Sequence, residues 1–290
     1  MIRAEPRAAP TRTTALVSLH AAVALFGFAA LFGKWIALPA TAIVLGRTVV
    51  AAMTLAIVLV ARDRTLGATR LGFVVNGAIL AAHWVAFFEA VQIASVAVAL
   101  LGYATFPLFV LVLERRRATR PASGGDTAVA TLTAAGLLVL APNFSWSSDA
   151  FRGLALGVAS GFTFAWLAVR SMRLVASVSA TRIAFWQNAF AAACLAPVVV
   201  LASPLPAWPT PADGALIVVL GVVCTGLAHT LFIASMQRVS AHTASIVAAL
   251  EPVYGILLAV VLLRELPDVR TLLGGALIVA AALIASRRGA

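Results

Sequence analysis

The sequence contains ten segments of roughly 20 mostly apolar residues, and these segments constrain its fold more than any other feature. A helix rises about 1.5 Å per residue, so about 20 apolar residues cross the hydrocarbon core of a bilayer, which is about 30 Å thick. Of the 290 residues, 62% are hydrophobic and 11% are charged. A soluble domain is about half apolar and about a quarter charged. The chain is therefore predicted to be an all-α, polytopic membrane protein.

Short connections join the predicted spans. The longest lie around residues 121–126 and 204–213, and neither can hold a separate catalytic or binding domain. Function is therefore expected to lie inside the helix bundle. The spans cover approximately residues 15–36, 40–61, 71–91, 93–113, 127–141, 153–172, 183–201, 215–235, 242–263 and 271–286, the fifth being the shortest.

The positive charges predict the orientation of the spans, because Lys and Arg near helix ends are retained on the cytoplasmic side. With a cytoplasmic N-terminus, sixteen of the 21 lysines and arginines fall in cytoplasmic segments. Both termini are thus predicted to be cytoplasmic, in the inner membrane of a bacterial cell, with residues 1–13 as a tail. The arginines of this tail imitate a signal peptide, but the repeat described next requires the first helix, which is expected to be retained. The external side receives Lys34, Arg152, Arg264 and Arg270, and Arg47 lies within the second span.

A shift of 145 residues aligns the chain with itself, so that residues 87–107 meet residues 232–252 without a gap. In so Ala-rich a chain, about two of the matches are expected by chance. The charges independently support a repeat whose equivalent connections lie on opposite sides of the membrane. The connection after the second span has three arginines, while its counterpart after the seventh has none. The identical pairs are Phe87 with Phe232, Gln92 with Gln237, Ser95 with Ser240, Ala99 with Ala244, Ala104 with Ala249 and Pro107 with Pro252.

The alignment predicts two halves of five spans, over residues 14–141 and 152–286. An odd number of spans forces the second half to enter the membrane from the opposite side. Inverted repeats of this kind occur in secondary transporters, whose binding site lies near the midplane where the halves meet.

Three motifs of the second half carry a family resemblance. They are Leu250-Glu251-Pro252-Val253, Leu263-Arg264-Glu265 and Gly274-Gly275-Ala276-Leu277-Ile278. Together they resemble the signature of the EamA family of the drug/metabolite transporter superfamily. Gly46-Arg47 in the second span and His83-Trp84 in the third are also similar to that family.

The resemblance implies a ten-helix inverted-repeat fold, a central cavity between the halves, and export of amino acids, related metabolites or drugs. It covers almost the whole chain. The first half departs from the pattern, because Glu114 and an arginine run follow Pro107 closely, so the fourth helix is expected to be shorter or to end differently.

Polar side chains inside apolar spans are the candidate site residues, because such groups cost a few kcal/mol in lipid and face a cavity or a partner. His83, Trp84 and Phe87 lie on one face of the third span, where they either contact substrate or serve as packing and a buried histidine. Glu89 points about 120° away from His83, and is either a coupling carboxylate or an interfacial one. The further substrate-binding candidates are Tyr103, Trp166, His229 and Tyr254.

Glu251 and Arg47 are the remaining charged candidates. Pro252 removes a backbone donor next to Glu251, and a kink there would help to form a cavity. Burial favours the protonated form of a carboxyl group, so Glu251 is a candidate for proton exchange during transport, or else it satisfies nearby backbone groups. Arg47 either holds an anionic substrate group or is structural, and snorkelling of its long side chain favours the structural role.

With the export that the resemblance implies, these features predict a secondary transporter that exports small metabolites or drugs, either amino-acid-like or amphipathic, by alternating access, with protons as a possible coupling ion. A flippase for a lipid-linked or sugar-linked substrate and a uniporter stay open as alternatives. An enzyme is not indicated, because no nucleophile with its base and no nucleotide-binding motif occurs. No cofactor, metal or nucleic acid is expected. The partners are the lipid bilayer and the solute, and the protein is a monomer or a homodimer.

Overall fold

The protein is described by a computed structural model over residues 11–63, 65–115, 124–140, 148–175, 177–202, 209–239, 247–248 and 250–288. No β-strand occurs in these ranges. The helices are α1 (Arg12–Trp35), α2 (Ala40–Asp63), α3 (Leu71–Ile93), α4 (Val96–Tyr103), α5 (Phe106–Arg115), α6 (Gly124–Leu140), α7 (Asp149–Leu174), α8 (Ala180–Val200), α9 (Pro211–Gly221), a π-helix (Val222–Leu227), α10 (Ala228–Ser235), α11 (Glu251–Leu263) and α12 (Val269–Arg288).

Within the described ranges, ten apolar helical segments correspond to the ten predicted spans. Seven are long and apolar enough to cross a membrane, and three shorter ones cover Gly124–Leu140, Glu251–Leu263 and Val269–Ile284. The prediction of an all-α, polytopic membrane protein is therefore confirmed. Residues 242–246 and 249 of the predicted ninth span lie outside the described residues.

Local sequence signals explain where several helices begin. Thr210, Pro211 and Asp213 form a capping box with proline in the first turn of α9, which satisfies backbone donors that a helix start leaves free. Ser95 accepts a hydrogen bond from the backbone N–H of Val98 and so caps α4. The turn before α4 separates it from α3, as the sequence predicts.

The fourth predicted span is two helices rather than one. It breaks between Tyr103 and Phe106, where Pro107 cannot supply the N–H that the Tyr103 carbonyl would accept in a continuous helix. At this break, the Thr105 hydroxyl donates a hydrogen bond to the Gly102 carbonyl at 2.7 Å. Pro252, which the repeat aligns with Pro107, likewise lies in the first turn of a helix, α11.

The helices of residues 11–140 pack mainly on helices of residues 148–288. Helix α2 contacts both α8 and α9. The core that these contacts form is continuous across the two parts of the chain. The main helix pairs are α3 with α7, α3 with α8, α2 with α8, α2 with α9, α1 with α10, α1 with α11, α4 with α7 and α6 with α12.

Hydrogen bonds join the connections at the two ends of the bundle. At one end, the backbone N–H of Ala37 donates to the Asp213 carboxylate at 3.1 Å. At the other end, Arg182 donates to the Leu66 carbonyl at 3.2 Å. Because α2 has 24 residues and so spans about 36 Å, Ala37 and Leu66 lie far apart on opposite sides. Asp213 therefore lies at the opposite end of the bundle from Arg62.

Glycines allow α7 to approach the backbone of α4 closely. A Cβ atom at Gly157 would lie 2.9 Å from the Ala99 carbonyl oxygen and 3.1 Å from the Gly102 Cα atom. A Cβ atom at Gly161 would lie 2.7 Å from the Tyr103 carbonyl oxygen. The spacing of Gly153, Gly157 and Gly161 at intervals of four places small residues on one face of α7, and this face packs closely on neighbouring helices.

We expect Gly157→Ala to lower the free energy of unfolding by about 1–3 kcal/mol, because the new methyl group would overlap the α4 backbone. Gly72→Ala is the matched control, since a Cβ atom there meets nothing within 4 Å. The measurement is the Tm of both variants, purified in detergent. Equal Tm values for the two variants would contradict the close approach.

Candidate functional site

Buried polar side chains from four helices meet around a small cavity inside the bundle. Arg47 of α2, His83 of α3, His229 of α10 and Glu251 of α11 are each 5% exposed or less. The cavity volume is about 40 Å³, which is far below the roughly 300–1,000 Å³ of a typical small-molecule pocket. Its lining is Phe26, Ala29, Arg47, Leu80, His83, Trp84, Phe87, Tyr103, Phe164, His229 and Glu251.

Arg47 contributes a positive charge to the cavity. Its Nε donates to the Thr225 hydroxyl at 2.9 Å, and its guanidinium carbon lies 3.9 Å from the centre of the Trp84 ring. Phe88 lies on the same side, with its ring centre 5.2 Å from that carbon. Within the described ranges, no carboxylate lies within 4 Å of the guanidinium. Two aromatic rings and one hydroxyl therefore surround this cation.

The π-helix places the Thr225 hydroxyl toward Arg47. Thr225 donates to the Leu220 carbonyl, five residues earlier, at 2.7 Å, and this leaves its oxygen lone pairs for the arginine. Single turns of π-helix inserted in α-helices occur frequently at functional sites. Gly221 lets this segment approach α2, because a Cβ atom there would lie 3.1 Å from the Arg47 carbonyl oxygen.

His83 joins α3 to α7. Its Nδ1 lies 2.8 Å from the Ser160 hydroxyl and 3.0 Å from the Ser160 carbonyl oxygen. A carbonyl can only accept a hydrogen bond, so the second contact favours the tautomer with the proton on Nδ1. Nε2 then remains an acceptor. The histidine thus pairs with a backbone carbonyl and also lines the cavity.

Glu251 lies at the start of α11, with the Tyr103 hydroxyl near its carboxyl group. Its Oε2 is buried and has no hydrogen-bond partner among the described residues. The Nδ1 atom of His229 is likewise buried and has no hydrogen-bond partner among the described residues. The His229 ring lies edge-on to Trp84, with the ring centres 5.9 Å apart. Buried polar atoms without partners are costly, so these two atoms are candidates for contact with a bound solute or with water.

An aromatic wall completes the cavity. Tyr103 and Phe164 lie 5.3 Å apart between ring centres, and Phe232 lies 5.8 Å from Phe164. Phe87 contacts Tyr103 edge-on at 6.0 Å. Such a wall can hold the apolar part of a solute or the face of a cation.

The structure brings together seven of the ten residues that the sequence analysis selects. The other three lie apart from the cavity. Trp166 is 41% exposed, because it follows Phe164 by two residues and so points to another side of α7. Tyr254 and Glu89 are half-buried and do not line the cavity. The seven are Arg47, His83, Trp84, Phe87, Tyr103, His229 and Glu251.

Sequence reasoning missed several residues of the site. Phe26 and Phe164 belong to apolar runs in which many phenylalanines look alike, although Phe164 follows Gly161 by one helical turn on the packing face. Thr225 and Ser160 were missed because single hydroxyls in apolar helices usually bond to their own backbone. No metal-binding group of three His, Cys, Asp or Glu side chains exists within the described part of the chain.

Comparisons with known proteins identify the family. Residues 151–287 match the model of the EamA-like transporter family. A protein of Archaeoglobus fulgidus, described as an uncharacterized transporter, is 30% identical over 229 residues, which cover 78% of this chain and 77% of that protein. A solved crystal structure shares the fold with a TM-score of 0.70 at 22% identity, covering 96% of this chain and 100% of the other. The chain therefore belongs to the EamA-like transporter family.

Proposed function

We propose that the protein is a secondary transporter of the bacterial inner membrane that exports small metabolites or drugs by alternating access, with protons as the coupling ion. The observation that carries this proposal is the buried cavity. It holds an arginine, a glutamic acid and two histidines among aromatic rings, and both parts of the chain contribute to it. In lipid, such polar groups belong to a solute pathway more often than to a core.

An inverted repeat is part of the proposal, with halves at residues 14–141 and 152–286. The helix packing supports it, because each main contact has a counterpart when the halves are exchanged. The contact of α3 with α7 corresponds to that of α1 with α10, and the contact of α3 with α8 to that of α2 with α9. The contacts of α2 with α8 and of α6 with α12 each join two equivalent helices, so the exchange leaves them unchanged. Pro107 and Pro252 also begin helices at equivalent positions.

Hydrogen bonds at both ends of the bundle suit the alternating opening of two gates. Asp213 holds the Ala37 backbone at one end, and the Arg170 Nε donates to the Asn76 side chain at 2.6 Å near the other. Each bond joins one half to the other. Rocking of the halves would break the hydrogen bond at one end of the bundle while the bond at the other end persists. The small cavity would then open to each side of the membrane in turn.

Proton coupling is proposed for Glu251. Its carboxyl group is buried, one oxygen lacks a partner among the described residues, and Tyr103 provides a neighbouring hydroxyl. In this proposal, the carboxyl group releases its proton when water or a cationic group enters the cavity. A uniporter would not need this exchange, and a flippase would need a lateral path for its lipid.

The transport test uses Glu251→Gln, which keeps the shape of the side chain but cannot release a proton. Cells that overexpress the protein are first screened for excretion and resistance, and the solutes found are then followed in inverted vesicles with and without a proton gradient. We expect the wild type to accumulate solute about tenfold faster with the gradient, and the variant to lose this difference. His83→Ala is expected to reduce transport in both conditions.

Glu89→Gln is the matched control for Glu251→Gln, because Glu89 is a half-buried carboxylate of α3 that does not line the cavity. It should keep the gradient dependence. Gradient-dependent transport that survives Glu251→Gln would refute the assignment of Glu251. Equal transport by the wild type in both conditions would indicate a uniporter.

A topology test addresses the inverted repeat and the cytoplasmic termini. Ala68→Cys and Ala212→Cys are each introduced into a Cys194→Ser background, since Cys224 is buried. Both alanines are exposed. We expect a membrane-impermeant maleimide added to intact spheroplasts to label position 212, and to label position 68 only after the membrane is opened, because arginines are retained inside. Labelling of both positions from one side would contradict the proposed threading.

A further inference from the structure

We propose that Arg47 receives an anionic group of the transported solute, and that Thr225 of the π-helix is the positioning residue that directs the guanidinium into the cavity. This inference rests on the proposed transport function and narrows it to solutes that carry a carboxylate, phosphate or sulfonate. The assignment follows from four features: the missing counter-charge, the unused donors of Arg47, the neighbouring His229, and the geometry of the π-helix.

The first feature is the missing counter-charge. Arg47 is 2% exposed, so its charge is held inside the bundle and its side chain does not reach the membrane surface. Among the described residues, no carboxylate lies within 4 Å of it. Glu251, the acid of the same cavity, is approached by Tyr103 instead. A buried arginine usually has an acidic partner, so the absence of one in the described part of the chain leaves that place for a ligand.

The second feature is the number of free donors. A guanidinium has five N–H groups, and in the described ranges Arg47 uses one of them, at Nε, for its hydrogen bond to Thr225. The remaining four belong to the two terminal nitrogens, which form the planar fork that pairs with a carboxylate or phosphate. Stacking on Trp84 at 3.9 Å fixes the plane of this fork.

The third feature is His229, which lines the same cavity as Arg47 and Trp84. Its Nδ1 is buried without a partner among the described residues, and its ring centre lies 5.9 Å from that of Trp84. With a proton on Nδ1, the imidazole is a second donor close to the arginine. Two donors on one wall suit an acceptor-rich, negatively charged group better than a cation.

The fourth feature is the π-helix itself. Threonines in α-helices usually bond to a carbonyl three or four residues earlier, as Thr48 does with Val44 and Leu45. Thr225 instead bonds to Leu220, five residues earlier, and accepts from Arg47 at 2.9 Å. The wider turn thus presents this hydroxyl to α2. Without the Thr225 hydroxyl, Arg47 would keep its charge but lose the hydrogen bond that orients its guanidinium.

The test compares matched acids and uncharged analogues as ligands of the purified full-length protein in detergent. The pairs are benzoate with benzamide, leucine with leucinamide, and benzenesulfonate with benzenesulfonamide. Their Kd values are obtained from the rise in Tm with ligand concentration. We expect at least one acid to bind about tenfold or more tightly than its analogue, because the charge meets an unpaired guanidinium.

Four variants decide the roles of the two residues. Arg47→Gln should remove the preference for the acid, bringing the ratio of Kd values to about one, while Arg47→Lys should keep part of it. Thr225→Val should lower the preference several-fold, and Thr225→Ser should restore it. Thr48→Val is the control, because that hydroxyl bonds only to its own helix among the described residues, and it should leave the preference unchanged.

Three outcomes would overturn the anion-binding role of Arg47. The first is tighter binding of the uncharged analogues, which would leave a transport role intact. The second is an acid preference that persists in Arg47→Gln, which would move the anion site elsewhere. The third is a failure of every compound to bind at millimolar concentrations, which counts against both the anion site and the cavity as a solute site. Loss of preference in Thr225→Ser as well as Thr225→Val would refute the positioning role.

Discussion

The burial of the Arg47 guanidinium is the constraint on which the centre of this protein depends. Placing an arginine at the middle of a membrane helix costs about 2.5–3.5 kcal/mol on insertion scales. A desolvated cation–π contact contributes about 2 kcal/mol, and a hydrogen bond to a charged donor contributes about 1.5–3 kcal/mol. The Trp84 stack and the Thr225 hydroxyl therefore offset a cost of similar size. The charge is held without an acidic partner within 4 Å among the described residues.

This arrangement links the helices that surround the cavity. Arg47 comes from α2, its stacking partner from α3 and its hydroxyl partner from the π-helix between α9 and α10. A shift of any of these helices changes the surroundings of a buried charge, so the site and the packing of the two parts of the chain are coupled. The same reasoning applies to His83, which spans from α3 to Ser160 of α7. Polar contacts between residues 11–140 and residues 148–288 thus make the cavity sensitive to the relative position of these two parts of the chain.

The small volume of the cavity and the close contacts at the glycines both show that the helices are tightly packed. At about 40 Å³ the cavity admits water more readily than a metabolite, and α7 packs on the α4 backbone through Gly157. A transporter needs tight packing to exclude leaks and a way to loosen it. Close backbone contact provides the first, because glycines remove the side chains between the helices. The proposed alternating access would require the second, and the hydrogen bond between Asp213 and Ala37 is one of the contacts that it would break.

The sequence by itself determined the number and approximate limits of the apolar helices, since the hydrophobic thickness of a membrane sets their length. It also identified seven residues of the cavity, because a polar group in an apolar span is costly and must face a partner. Only the tertiary structure decided which polar groups meet. Trp166 and Tyr254 lie in the same kinds of helix as Trp84 and Tyr103, and the rotation of each helix in the bundle turns the first pair away from the cavity. The π-helix at Thr225 also depends on contacts between helices, which a linear pattern of apolar residues does not contain.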